Sequence, residues 1–113
     1  MKHKVVLVPF PFDDLSSTKV RPAVCLTEPV GQHKHVVLAF ITSRVPNEPL
    51  PTDLVFPKAS KDFSTTGLRV SSTLQLHRMM TLASTIIVRE LGTLPESAQN
   101  DVAGKLKLLF GIK

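Results

Sequence analysis

The sequence has no tryptophan, no tyrosine and a single cysteine, and six phenylalanines are its only Phe, Trp or Tyr residues. One cysteine cannot form a disulfide within the chain, which is typical of proteins in the reducing cytoplasm. Cys25 lies within an apolar run, so we expect it to be a small core residue. Because tyrosine and tryptophan are absent, any surface that stacks on nucleobases would have to use Phe, His or Arg side chains.

Several kinds of site and segment are also missing. The sequence contains neither a phosphate-binding P-loop nor a dinucleotide-binding glycine pattern. It has no close His and carboxylate pair at ligand spacing, so we expect no metal site and no cofactor. Asp13 and Asp14 could hold a hydrated Mg²⁺, but adjacent acids in a loop are usually just solvated. No apolar run is long enough to span a membrane, and prolines interrupt the N-terminal run too early for a signal peptide.

What the chain does have is a small size and an excess of positive charge. Its 113 residues suffice for one domain with one core, which we expect to span residues 1–113. The hydrophobic content of 42% predicts a folded rather than a disordered chain. The formal net charge of +5 favours an anionic partner, either nucleic acid or an acidic protein.

Short apolar runs separated by proline, glycine and polar residues predict a mostly β fold. Pro9 and Pro11 lack amide donors, so the first strand should end at a sheet edge or leave the sheet. Residues 44–52 contain three prolines and predict a long loop, of the kind that often binds ligands. The predicted strands cover residues 5–12, 20–27, 35–43, 53–56, 68–78 and 84–90.

The apolar period changes near residue 93. Ala98, Val102, Leu106 and Leu109 recur at intervals of four, four and three residues, which predicts one apolar stripe of a helix. Residues 93–96, TLPE, match a capping box with proline in the first turn, and Gly111 is expected to end the helix. Short strands followed by one terminal helix predict a small, mainly β barrel with a helix packed on it.

Arg21 stands where a polar loop becomes the second strand, and Pro22 after it favours an extended backbone. The turn between the second and third strands is short, so these strands should pair antiparallel. Arg21 and Thr42 would then lie at the same end of the hairpin, and His33 and His35 at the opposite end. A guanidinium on stiff backbone can receive an anion, although it can equally be a surface arginine at a strand end.

Residues 5–26, VVLVPFPFDDLSSTKVRPAVCL, and residues 39–44, AFITSR, resemble the PemK/MazF toxins of bacterial toxin–antitoxin pairs. The resemblance continues through TGL at 66–68, LHR at 76–78, MTL at 80–82 and ELGTL at 90–94. It covers nearly the whole chain, and its first half is the specific part. The family usually has a Gly-Asp pair just before the first apolar run, where this chain has His3 and Lys4.

The resemblance implies an SH3-like barrel, a homodimer and an endoribonuclease that cuts single-stranded mRNA at short motifs without a metal. The 2′-OH of the RNA would attack the neighbouring phosphorus, leaving a 2′,3′-cyclic phosphate and a 5′-OH end. The family's catalytic arginine lies in its Arg-Pro pair and is partnered by a threonine at a strand end. These positions are Arg21 and Thr42 here. A cognate acidic antitoxin that folds on binding is the implied partner.

Five further residues are candidate RNA contacts. Three of them, Lys19, Ser43 and Arg44, lie within two residues of Arg21 or Thr42 in the sequence. A hydroxyl at the end of a strand can instead form a hydrogen bond within the turn that follows. The others lie on a later strand that could pass beside the same pocket, and they include a histidine, a residue type that can exchange protons in RNA cleavage. The candidates are Lys19, Ser43, Arg44, His77 and Arg78.

Two alternatives to a ribonuclease stay open. Related toxins that poison DNA gyrase share the barrel and cut no RNA, and the missing Gly-Asp pair is consistent with such a binding-only protein. A basic barrel that binds RNA without cleaving it is the other alternative. It would bind with a steep dependence on salt.

Overall fold

The protein forms a curled, six-stranded antiparallel sheet with one C-terminal helix, as predicted. The structure, a computed structural model, describes residues 1–9 and 19–113. The predicted end of the first strand and the loop with Asp13 and Asp14 lie outside these ranges. The strands are β1 (Lys4–Pro9), β2 (Val20–Cys25), β3 (His35–Thr42), β4 (Asp53–Phe56), β5 (Ser72–Ala83) and β6 (Arg89–Thr93), and the helix is α1 (Glu96–Phe110).

The sheet order is β4-β5-β3-β2-β1-β6, so β4 and β6 are its outer strands. The predicted hairpin is present, because β2 and β3 pair antiparallel with Ala23 opposite Phe40 and Cys25 opposite Leu38. Residues 44–52 form the expected loop, and β4 has the predicted bounds. Within the two described ranges, no helix is long and apolar enough to cross a membrane.

Both faces of the central strands are buried where their sequences are continuously apolar. Val24 and Ala39 belong to the core that also contains the helix, whereas Ala23 and Leu38, one position along each strand, belong to a second core. All four are fully buried. Successive residues of a strand point to opposite faces, so an alternating set fills each core.

The helix follows the predicted stripe but begins differently. Ala98 and Val102 are buried, and Leu106 and Leu109 pack partly buried against the same core. The predicted capping box is wrong, because Pro95 is the N-cap and no side chain bonds the first turn. Thr93 instead ends β6, where its hydroxyl accepts a hydrogen bond from Lys4 Nζ at 3.2 Å. Gly111 ends the helix as predicted, in a left-handed conformation with φ of 67°.

The two later strands differ from their predicted bounds. β5 begins four residues after the predicted start at residue 68. It continues past the predicted end to Ala83, because residues 79–83 pair with the first half of β3. The predicted strand at 84–90 is wrong at residues 84–88. Ser84–Ile86 is a 3₁₀ turn, and β6 begins only at Arg89. Another 3₁₀ turn, Phe63–Thr66, lies in the polar loop before β5.

Candidate functional site

Arg21 and Thr42 lie at the same end of the β2–β3 hairpin, as their order in the sequence predicts. The pairing of Ala23 with Phe40 and Val24 with Ala39 fixes the register. Continued by two residues, this register sets Arg21 opposite Thr42. The two side chains line one cleft, which has a volume of about 520 Å³.

We call this space the arginine cleft. Five of the seven residues predicted for the site line it, and they bring three guanidinium groups and two hydroxyls together. Among the described residues, its lining is Arg21, Phe40, Ile41, Thr42, Ser43, Arg44, Gln75 and Arg78. No carboxylate is present among these residues, so the cleft has the charge that an anionic ligand requires.

A bulge in β5 carries Arg78 to the cleft. Ala39 pairs with Met79, yet the next residue of β3, Phe40, pairs with Gln75. Residues 76–78 therefore have no partner on β3, and a bulge of this kind changes the direction of the side chains that it contains. Leu76 points into the core and is fully buried, whereas His77 and Arg78 are exposed.

The hydroxyl of Thr42 is placed so that it can donate a hydrogen bond. Its Oγ1 accepts the Arg44 backbone N–H at 3.3 Å, which uses a lone pair and leaves the hydroxyl proton for another acceptor. From β5, Thr73 Oγ1 donates to the Arg44 carbonyl oxygen at 2.8 Å. These two bonds hold the start of the 44–52 loop beside the cleft.

Lys19 and His77 do not line the arginine cleft. Lys19 is exposed just before β2, and His77 is exposed within the bulge. As predicted, His33 and His35 lie at the far end of the hairpin, His33 in the turn and His35 at the start of β3. The centroids of their rings are 5.8 Å apart. Gln75 lines the cleft and was missed, because its position depends on the pairing of β5 with Phe40.

His3 and Lys4, which replace the family's Gly-Asp pair, lie at the end of β1 remote from Arg21. In the register of β1 with β2, Val5 pairs with Val24, and Val8, further along, with Arg21. The His3 backbone joins two strands, since its N–H donates to Cys25 and its carbonyl accepts from Leu94. Burial is the main cause of the lowered pKa of His3.

Cys25 is buried and belongs to the second core rather than to the lining of the arginine cleft. Burial raises the pKa of the Cys25 thiol to about 11, so it is protonated and inert at neutral pH. No three His, Cys, Asp or Glu side chains come together as a metal site in the parts of the chain that the structure describes. The guanidinium groups and hydroxyls that line the arginine cleft give it a cationic, hydrogen-bonding character, which suits a phosphate group.

Comparison with family models identifies one family, and comparison with solved structures identifies one fold. The family model of the PemK-like, MazF-like toxins of type II toxin–antitoxin systems matches residues 2–110. A search of curated proteins gives no match. Among solved structures, the Mycobacterium tuberculosis toxin MazF-mt6 has a TM-score of 0.73 at 20% identity, with 97% of this chain and 98% of that chain covered.

Two further structures have the same fold. MazF from Deinococcus radiodurans has a TM-score of 0.70 at 21% identity, over 97% of this chain and 94% of that chain. A mycobacterial endoribonuclease in complex with its cognate antitoxin has a TM-score of 0.72 at 13% identity, over 100% and 96% of the two chains.

Proposed function

Because the chain belongs to the PemK-like, MazF-like toxins of type II toxin–antitoxin systems, we propose that it is an endoribonuclease that cuts single-stranded mRNA at short sequence motifs. The observation that carries the proposal is the arginine cleft, where Arg21 and Thr42 meet at one end of the β2–β3 hairpin. Its cations and hydroxyls, with no carboxylate among the described residues of the lining, suit a phosphodiester that gains negative charge during reaction.

In the proposed reaction the 2′-oxygen forms a bond to the adjacent phosphorus while the bond from phosphorus to the 5′-oxygen breaks. The 2′-OH loses its proton, the departing 5′-oxygen gains one, and the products are a 2′,3′-cyclic phosphate and a 5′-OH. The nucleophile is already held next to its target, so charge stabilisation is the main demand and the mechanism needs no metal. Arg21 would stabilise the phosphorane, and Thr42 would donate its hydroxyl proton to a non-bridging oxygen.

The other predicted residues are proposed RNA contacts. Ser43, Arg44 and Arg78 line the arginine cleft and would hold the phosphates on either side of the scissile bond. Lys19 and His77 are exposed outside that lining and would contact more distant parts of the strand. Such contacts with phosphates set affinity and position rather than base sequence.

We also propose that a cognate acidic antitoxin inhibits the protein by covering the arginine cleft, and that the toxin acts as a homodimer. Two of the structures that share the fold support the first point by analogy: a mycobacterial endoribonuclease bound to its cognate antitoxin, and a MazE-MazF complex from Deinococcus radiodurans. An acidic segment would match a cleft lined by three arginines.

The deciding test is cleavage of a long single-stranded RNA by purified protein in excess EDTA, with the fragment ends mapped. Wild type should give discrete cuts with 5′-OH ends. Arg21→Ala should reduce the rate by a factor of about 10²–10³, the usual effect of removing one group that stabilises an oxyanion. Lys107→Ala, which removes an exposed cation on the helix, should cleave like wild type.

Equal cleavage by Arg21→Ala and wild type would overturn the assignment of Arg21. If the folded wild type made no cuts, the ribonuclease proposal would fail. An assay of DNA gyrase supercoiling would then separate a gyrase inhibitor from a protein that only binds RNA.

A further inference from the structure

A second cleft adjoins the arginine cleft. It has a volume of about 270 Å³ and shares Arg21, Ile41 and Ser43 with its neighbour, so the two clefts lie side by side. We call it the apolar cleft because five hydrophobic side chains and one proline line it. In the part of the chain that the structure describes, its lining is Leu7, Arg21, Pro22, Ile41, Ser43, Gly67, Leu68, Arg69, Val70, Ser72, Arg89 and Leu91.

Arg69 and Arg89 give the apolar cleft its own positive charge. Both residues are exposed and belong to separate elements, the loop before β5 and the first position of β6. Neither has a carboxylate partner among the described residues, where the ion pairs involve Glu28 and Glu90. Guanidinium groups that converge without a carboxylate favour a ligand that brings a negative charge.

The loop that carries Arg69 is fixed against β6. A Cβ on Gly67 would lie 2.1 Å from the Leu91 carbonyl oxygen, and a Cβ on Gly92 would lie 2.3 Å from the Thr65 carbonyl oxygen. Only glycine permits backbones to approach so closely. Thr66 also bonds the Phe63 carbonyl oxygen at 2.7 Å. Arg69 and Arg89 are therefore supported by backbone segments in direct contact, which preorganises the site.

The combination of an apolar floor with two cationic groups fits a nucleotide. The base can lie on the hydrophobic side chains or against a guanidinium plane, while the phosphate accepts hydrogen bonds from the arginines. An acidic peptide with an apolar anchor has related chemistry. Arg21 and Ser43 line both clefts, and this favours the nucleotide. An RNA strand whose scissile phosphate lies at Arg21 must continue into a neighbouring space.

We propose that the apolar cleft binds the nucleotide next to the cleaved bond, with its base on the floor formed by Leu7, Ile41 and Leu91 and its phosphate held by Arg69 and Arg89. The identity of the ligand as RNA rests on the proposed function. Arg69 and Arg89 are positioning residues in this proposal, since they contact the flanking nucleotide rather than the reacting phosphorus.

The test uses binding as well as activity. Fluorescence anisotropy would measure the affinity of the full-length protein for labelled, random-sequence single-stranded DNA 12-mers at several salt concentrations. These oligonucleotides lack the 2′-OH and so resist the proposed cleavage. Arg69→Gln/Arg89→Gln should weaken binding about tenfold for each arginine, as expected for hydrogen bonds to a charged group. The salt slope should become less steep by about 0.7 for each phosphate that the variant no longer neutralises.

Two double variants serve as controls. Lys107→Gln/Lys113→Gln removes the same charge from the C-terminal segment and should retain the wild-type affinity and slope. Arg69→Lys/Arg89→Lys keeps the charge and should restore the slope. If the wild type also cleaves RNA, the Gln variant should raise KM with kcat unchanged, because the subsite would bind the substrate and the transition state equally.

The proposal would be overturned if the folded Arg69→Gln/Arg89→Gln variant bound single-stranded DNA with the affinity and salt slope of wild type. It would also be overturned if this variant lost affinity only for an acidic partner protein. If the wild type cleaves no RNA but the Gln variant still loses affinity and slope, the nucleotide site stands and the proposed ribonuclease activity fails.

Discussion

Residues that are adjacent in sequence differ sharply in their access to the site. His77 and Arg78 both lie in the β5 bulge and are both exposed, yet only Arg78 lines the arginine cleft. The hydroxyl of Thr42 also depends on a nearby residue. Its oxygen accepts a hydrogen bond from the Arg44 backbone N–H, so its own proton can be donated to a ligand. At the scale of the residue, the direction in which a side chain points and the hydrogen bonds that it makes decide whether it can reach a ligand, more than its residue type does.

This difference gives a matched pair of substitutions. Arg78→Gln should lower kcat/KM for RNA about tenfold or more, because it removes a hydrogen bond to a charged phosphate. His77→Gln, at the adjacent position and outside the cleft lining, should have a smaller effect. Steady-state cleavage kinetics on the same RNA would measure both. A larger decrease in His77→Gln would contradict the arrangement of the bulge.

Cys25 provides a second prediction for a single residue. Burial raises the pKa of its thiol to about 11, so the thiol should react very slowly with a thiol reagent in the native protein and readily in urea. The pKa of the thiol is higher in the folded protein than in the unfolded chain. The contribution of Cys25 to the free energy of unfolding is therefore fully present below pH 9.0, the ordinary pKa, and is lost as the pH rises towards 11.

Urea unfolding at pH 7, 9 and 11 would measure that change, with Cys25→Ala as the control that lacks a thiol. The difference in unfolding free energy between the two proteins should decrease between pH 9 and pH 11. A rapid reaction of native Cys25 with the reagent at pH 7 would contradict its burial.

At the scale of the element, β6 and the loop before β5 approach each other more closely than side chains would allow. Gly67 adopts φ of 72° with its α-carbon against Leu91, and Gly92 lies within β6 against Thr65 and Thr66. Gly92 lies outside the strand predicted for residues 84–90. Its role is close packing, which lets β6 lie against the 3₁₀ turn and brings Arg89 to the apolar cleft.

This close approach predicts opposite effects for two glycine-to-alanine changes. Gly92→Ala should destabilise the protein by about 1–3 kcal/mol or more, the usual cost of overpacking, because its Cβ would meet the backbone of the 3₁₀ turn. Gly104→Ala lies within the helix with open space around its Cβ, and it should stabilise by about 1 kcal/mol. Urea unfolding measures both, and a neutral Gly92→Ala would contradict the close packing of β6.

At the scale of the whole molecule, charge and fold act together. The chain has a net charge of +5, and the arginine cleft collects three guanidinium groups from β2, from the loop after β3 and from the β5 bulge. These positions are far apart in the sequence. The antiparallel order of β2, β3 and β5 makes them neighbours in space.

The charge of the assembled site predicts a strong dependence on salt. If the arginine cleft contacts about three phosphates of a single strand, affinity for RNA should fall about 20-fold between 50 and 200 mM salt. Cleavage rates at RNA concentrations below KM should fall in parallel, while the midpoint of urea unfolding serves as the control for fold integrity. Cleavage that is insensitive to salt would contradict a phosphate-binding site.

The sequence by itself determined the features that depend on short-range patterns. These are the strand-rich architecture, the apolar helix stripe, and the meeting of Arg21 and Thr42, which follows because a short turn allows only an antiparallel hairpin. The tertiary structure decided that Arg78 rather than His77 lines the arginine cleft, and it added Gln75 and Arg89, which the sequence had not predicted. Gln75 and Arg78 reach the arginine cleft through a register shift against β3.

Arg69 and Arg89 converge for a related reason, because glycines let two backbone segments approach within contact distance. Register and close packing arise from contacts between residues distant in the chain. The periodicity of apolar residues along a short stretch of sequence carries no information about such contacts.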